Sequence, residues 1–162
     1  MTTYTAERLQ DSLLDSRERF LVAIEMLPDE ALLQANVIMS ASIVDLMEAL
    51  IAAEAELVTG LMQIDQGKKP ENLLKMVKRP FTIPTTTENG RDLDTVFDDF
   101  LRVRRQLETW IEEFSNKTLN DPKRYAWLNG KTLGLVIARM SYENEAKYTP
   151  FVERFAHAYD HN

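Results

Sequence analysis

The chain has 162 residues, 44% of them apolar and 28% charged, which suits one globular domain spanning residues 1–162 with a sizeable core. A net charge of −7 opposes phosphate backbones and anionic membrane surfaces, so neither nucleic acid nor membrane is an expected partner. With no cysteine, disulfides, thiolate nucleophiles and Cys-based zinc sites are excluded, which fits a reducing cytoplasm.

The N-terminus lacks a basic region followed by an apolar one, so no signal peptide is expected. The first helical pattern runs from about Thr5 to Met26. Its stripe is Leu9, Leu13, Phe20, Ile24 and Leu27, and Pro28 ends it. The second starts after Ser40 or Ser42 and runs to about Gln66, with Ile43, Met47, Leu50, Glu54, Leu57, Leu61 and Ile64 on one face. Asp45, Glu48, Glu54 and Glu56 exclude this stretch as a membrane span. Gly60 inside it marks close packing or a tolerated defect.

A short helix is expected over Glu71–Lys78. The run from Arg79 to Gly90, with two prolines, four threonines and Asn-Gly, reads as a loop. The third long pattern, from about Asp92 to Asn116, lines its core face with Leu93, Phe97, Phe100, Leu107, Trp110, Ile111 and Phe114. A second connector, Lys117 to Gly130, leads to the fourth pattern. This reads as one helix from Lys131 to Tyr159, with Leu133, Ile137, Met140, Asn144, Tyr148, Phe151 and Phe155 at steps of three and four. No repeat, low-complexity run or strand alternation appears. The expected fold is therefore all-α, a four-helix bundle with long connectors after helices two and three.

Candidate chemistry is sparse. No Glu-x-x-His occurs, and both histidines, His157 and His161, lie in the last six residues, where a frayed tail is the simpler reading than a ligand pair. Glu54 either sits at the edge of its stripe or faces the core and needs a partner, with Asn144, Tyr148 and Arg139 as the choices. Arg102, Arg104 and Arg105 read as a solvated face pairing with Glu108, Glu112 or Glu113. Arg139 either holds an anionic ligand or snorkels to the surface. Trp127 reads as a lid over the bundle end rather than a ring for stacking ligand. Asn144 and Tyr148 interrupt the apolar stripe of the last helix and are expected to point inward.

Three segments carry a resemblance. The run Ser42 to Glu54, reading SIVDLMEALIAAE, and the run Trp127 to Gly134 followed by Tyr142 to Tyr148 are similar to the second and last helices of the DinB-like four-helix-bundle superfamily. Asn89 to Leu93, leading into Phe97 and Phe100, resembles its ClbS/DfsB branch. Many members hold a metal on three histidines and act as thiol transferases. Those positions fall here on Ala49, Asn144 and Tyr148, so the resemblance implies a degenerate metal site and no metal cofactor. ClbS-type members are linked to self-protection against a reactive natural product without needing that metal.

The leading expectation is a metal-free protein that binds a small molecule, in a stress or self-protection role. Asn144, Tyr148, Glu54, Arg139 and Trp127 are its pocket candidates. One alternative is a metal-independent hydrolase or transferase using carboxylate acid/base chemistry. The other is a non-catalytic scaffold or dimerisation module, with a homodimer as partner.

Overall fold

Side-chain caps start most of the helices. Thr5 accepts a hydrogen bond from the Arg8 amide (3.0 Å) and opens α1, Ala6–Ile24. Ser42 and Asp45 form a reciprocal capping box, both bonds at 3.0 Å, and open α3, Ile43–Asp65. Asp92 opens α5, Leu93–Ile111, and Thr132 opens α7, Leu133–Met140. Each such cap satisfies amides that the helix itself leaves unpaired, at about 1 kcal/mol. Between these lie α2 (Asp29–Leu32), α4 (Glu71–Val77), α6 (Asn116–Asn120) and a 3-10 turn at Ala126–Leu128. The last helix, α8, is Tyr142–Asp160. The computed structural model describes residues 3–85 and 92–160. Among these the chain is helical, with a lone β-bridge between Ile38 and Ala41. No helix of the described residues is long and apolar enough to cross a membrane.

One expectation needs correction. The continuous helix from Lys131 to Tyr159 is broken at Ser141, where φ is −128° and ψ −103°. The hydroxyl of this fully buried serine donates to the Ile137 carbonyl (2.5 Å), a group left over at the end of α7. The break changes the phase of the buried face. In α8 the fully buried positions are Glu145, Thr149 and Val152, one place on from Asn144, Tyr148 and Phe151. Neither Gly nor Pro marks the break, while Pro150 lies inside α8 without ending it.

The long helices α1, α3, α5 and α8 surround the core. The closest pairings are α3 with α5 and α1 with α8. The short α4 lies along α3 because Gly60 has no side chain; a Cβ there would overlap Leu73. Gly134 does the same for the segment before α1, where a Cβ would come within 2.5 Å of the Tyr4 ring. The core falls into two apolar halves. One gathers Leu9, Leu13, Leu57, Leu61, Leu107 and Ile137. The other gathers Phe20, Ile43, Met47, Leu50, Phe100 and Val152, with the Phe20 and Phe100 rings 5.4 Å apart.

Candidate functional site

Between the two halves sits a layer of charge. Arg17 of α1, Glu54 of α3, Arg104 of α5 and Glu145 of α8 are each 5% exposed or less. Arg104 grips Glu54 with a fork, Nε to Oε1 at 2.6 Å and Nη2 to Oε2 at 3.0 Å. Arg17 donates Nε to Oε2 of Glu145 (2.7 Å) and reaches Glu54 at 3.4 Å. Ser16 supplies a further donor to Glu145 at 2.7 Å. The two arginines are exchanged between helices: Arg17 donates to the Phe100 carbonyl and Arg104 to the Leu13 carbonyl, both at 2.8 Å. Each acceptor lies one turn before the other arginine. The Arg17 guanidinium also stacks 3.4 Å from the centre of the Phe100 ring, a cation–π contact.

Two cations and two anions leave the layer neutral. Burial, with Arg104 beside it, pulls the Arg17 guanidinium below its usual pKa despite both carboxylates. Burial opposes the charge of Arg104 as well, but Glu54 and Glu145 outweigh it and raise its pKa. Arginine stays protonated across the physiological range in either case. A buried charge without a partner costs several kcal/mol, and here each charge has one.

This layer corrects two expectations. Glu54 faces the core, and its partners are Arg17 and Arg104 rather than Asn144, Tyr148 or Arg139. Arg104 is not on the solvated face; of its neighbours, exposed Arg102 pairs with Asp99. Sequence reasoning missed Arg17 and Glu145, although a signal existed. The stripes of α1 and α5 each skip a turn, from Leu13 to Phe20 and from Phe100 to Leu107, and the vacant turns are where Arg17 and Arg104 stand. Glu145 was hidden by the break at Ser141.

A separate cavity of about 680 Å³ opens between α3, α4, α7, α8 and the segment that follows α4. Its floor on α3 is made of Ala49, Ala52 and Ala53, whose short side chains leave room between helices. Met76, Val77, Phe81 and Met140 add apolar walls. Asn144 lines it with Arg79, Arg139 and Lys147, and so do Asp45, Glu48 and Glu143. The volume lies in the range of small-molecule pockets, roughly 300–1,000 Å³.

The sequence candidates divide between these places. Asn144, Arg139 and Ala49 line the cavity. Tyr148 is buried just behind the wall, its ring 5.6 Å from that of Phe81, and is not itself a lining residue. Glu54 belongs to the ion layer. Trp127 stacks on Tyr125 at 4.8 Å in the 3-10 turn and does not line the cavity, so it is no pocket residue. His157 is exposed in the last turn of α8, and His161 lies outside the described residues. A three-ligand metal centre does not fit Ala49, Asn144 and Tyr148. The first has no donor, an amide oxygen is a weak ligand for transition metals, and the phenol is packed among aromatic rings. Among the described residues no group of three or more His, Cys, Asp or Glu could hold a metal ion.

No family model matches the chain, and neither does any curated protein. Among solved structures, the crystal structure of an uncharacterised protein from Escherichia coli UTI89 is similar, with a TM-score of 0.71. The match covers 96% of this chain and 95% of that one at 14% identity. At that identity the likeness is one of fold.

Proposed function

We propose that this protein is a single-domain, DinB-like four-helix bundle that binds a small organic molecule in the α3–α8 cavity without a metal, as a cytoplasmic stress or self-protection protein. The observation that carries the reading is the coincidence of cavity and resemblance. Ala49 and Asn144, two of the three positions where the resembled family would carry histidine ligands, line one opening with an apolar floor. Where those ligands would fill the space, this chain leaves room. The acid/base alternative leans on Glu54, whose two oxygens are taken up by Arg104 and Arg17, so it gains no support.

Thermal melts against a metabolite library test the reading. A ligand at 100 times its Kd adds about 2.7 kcal/mol, roughly 5–10 °C for a domain of this size. The control is Ala52→Trp, which fills the cavity from an exposed position on α3. The reading expects a ligand that shifts the wild type and not the variant. It fails if no compound shifts the wild type, or if both proteins respond alike.

A further inference from the structure

We infer that the molecule held in this cavity has an apolar body and one anionic group, a carboxylate or a phosphate. The inference rests on the cavity being the binding site and adds the chemical class of its occupant. Three cations from three separate segments converge on the opening: Arg79 after α4, Arg139 in the last turn of α7 and Lys147 on α8. None of them makes an ion pair among the described residues. What sets these three apart from other bases without an ion pair among the described residues, such as Arg8, Lys68 and Arg154, is that they line one cavity. Elsewhere Arg17, Arg19, Lys69, Arg102 and Arg104 all have carboxylate partners.

Among the described residues, the carboxylates of the same wall form no ion pair with these cations. Asp45 is held in the capping box, and Glu48 is engaged. Glu143 makes no ion pair among the described residues and faces Tyr4 and Tyr142; it adds to burial in pushing both phenols up. Lys147 lies over the Tyr148 ring at 5.4 Å, so the guanidinium groups of Arg79 and Arg139 are the donors left for a single anionic head. Guanidinium groups suit that role because their planar donors match carboxylate and phosphate oxygens. Below the rim the surface is Ala49, Ala53, Met76, Val77, Phe81 and Met140, which calls for an apolar body.

Two dyes with one body test this. 8-Anilinonaphthalene-1-sulfonate carries an anion, and N-phenyl-1-naphthylamine is its uncharged counterpart. Fluorescence titration should give saturable binding of the sulfonate. The exposed triple variant Arg79→Gln/Arg139→Gln/Lys147→Gln should weaken it about tenfold or more and leave the neutral dye unchanged. Displacement by decanoate would assign a carboxylate and displacement by decyl phosphate a phosphate; either supports the inference. It is overturned if the sulfonate does not saturate, if the triple variant binds it as the wild type does, or if decylamine displaces it equally well. Ala52→Trp separates the two readings. If it removes both dyes while the head group makes no difference, the cavity stands and the anion falls. If it removes neither, the cavity reading falls too.

Discussion

The ion layer and the cavity both place charge beside apolar side chains, and they differ in what answers that charge. In the layer, two guanidinium groups and two carboxylates close on one another and on two helix carbonyls. Nothing is left over for a ligand. At the cavity, Arg79, Arg139 and Lys147 end without carboxylate partners among the described residues. Buried charge that is fully answered fixes how helices sit against one another; half-exposed charge that is unanswered is free to bind. A buried cluster of ionisable groups would ordinarily suggest an active site. Here the deeper cluster is closed and the shallower one is open.

The largest effect should come from breaking the layer. Arg104→Met leaves Glu54 buried with only the 3.4 Å contact to Arg17, takes one donor from Glu145, and should cost about 3–5 kcal/mol, a drop in Tm of roughly 10 °C. Replacing Arg17, Glu54, Arg104 and Glu145 together with Met or Leu should recover most of that loss, because no charge is then stranded. Equal losses in the single and quadruple variants would show that the arginines contribute by packing and not by pairing.

On the cavity side, Gly60→Ala should cost about 1–3 kcal/mol, since the new methyl overlaps Leu73 and pushes α4 from α3. Because α4 brings Met76 and Val77 to the wall, this variant should also weaken dye binding, whereas Arg104→Met at a temperature where it stays folded should not. The reverse pattern would erase the distinction between the two regions.

The smallest effect belongs to the exposed pair Arg19–Glu153, the solvent-screened counterpart of the layer. The hydrogen bond from Arg19 holds the Glu153 carboxyl below its usual pKa, slight burial opposes it, and the Arg19 charge adds to it. A carboxyl lowered in the folded state stabilises above its unfolded pKa and ceases to do so as pH falls through the lowered value. The Tm difference between wild type and Arg19→Ala should therefore be small at neutral pH and vanish in acid. A difference that grows in acid would reverse the assignment.

Much of the helical layout was legible in the sequence. Ser42 with Asp45 announced the start of α3, and Gly60 marked a close approach that Leu73 accounts for. Asn144 was legible as a polar interruption of an apolar stripe, and Arg139 as a base either placed for an anionic ligand or snorkelling to the surface. The ion layer was only half legible. Glu54 stood out on its own helix, but its partners lie 37 and 50 residues away on other helices, and periodicity within one helix carries no such pairing. The break at Ser141 has no local signal of the Gly or Pro kind, so periodicity alone puts the buried face of α8 one position out of phase. That slip favoured Asn144 over Glu145 as the inward group and kept Tyr148 in a pocket it only backs.

The most direct test of metal-free binding is a titration of the sulfonate dye into untagged protein before and after exhaustive treatment with a strong chelator, with metal content measured on the same samples. The account predicts the same Kd in both and no recovery to be made by adding Zn²⁺. A loss of binding on chelation, restored by a stoichiometric metal, would contradict it.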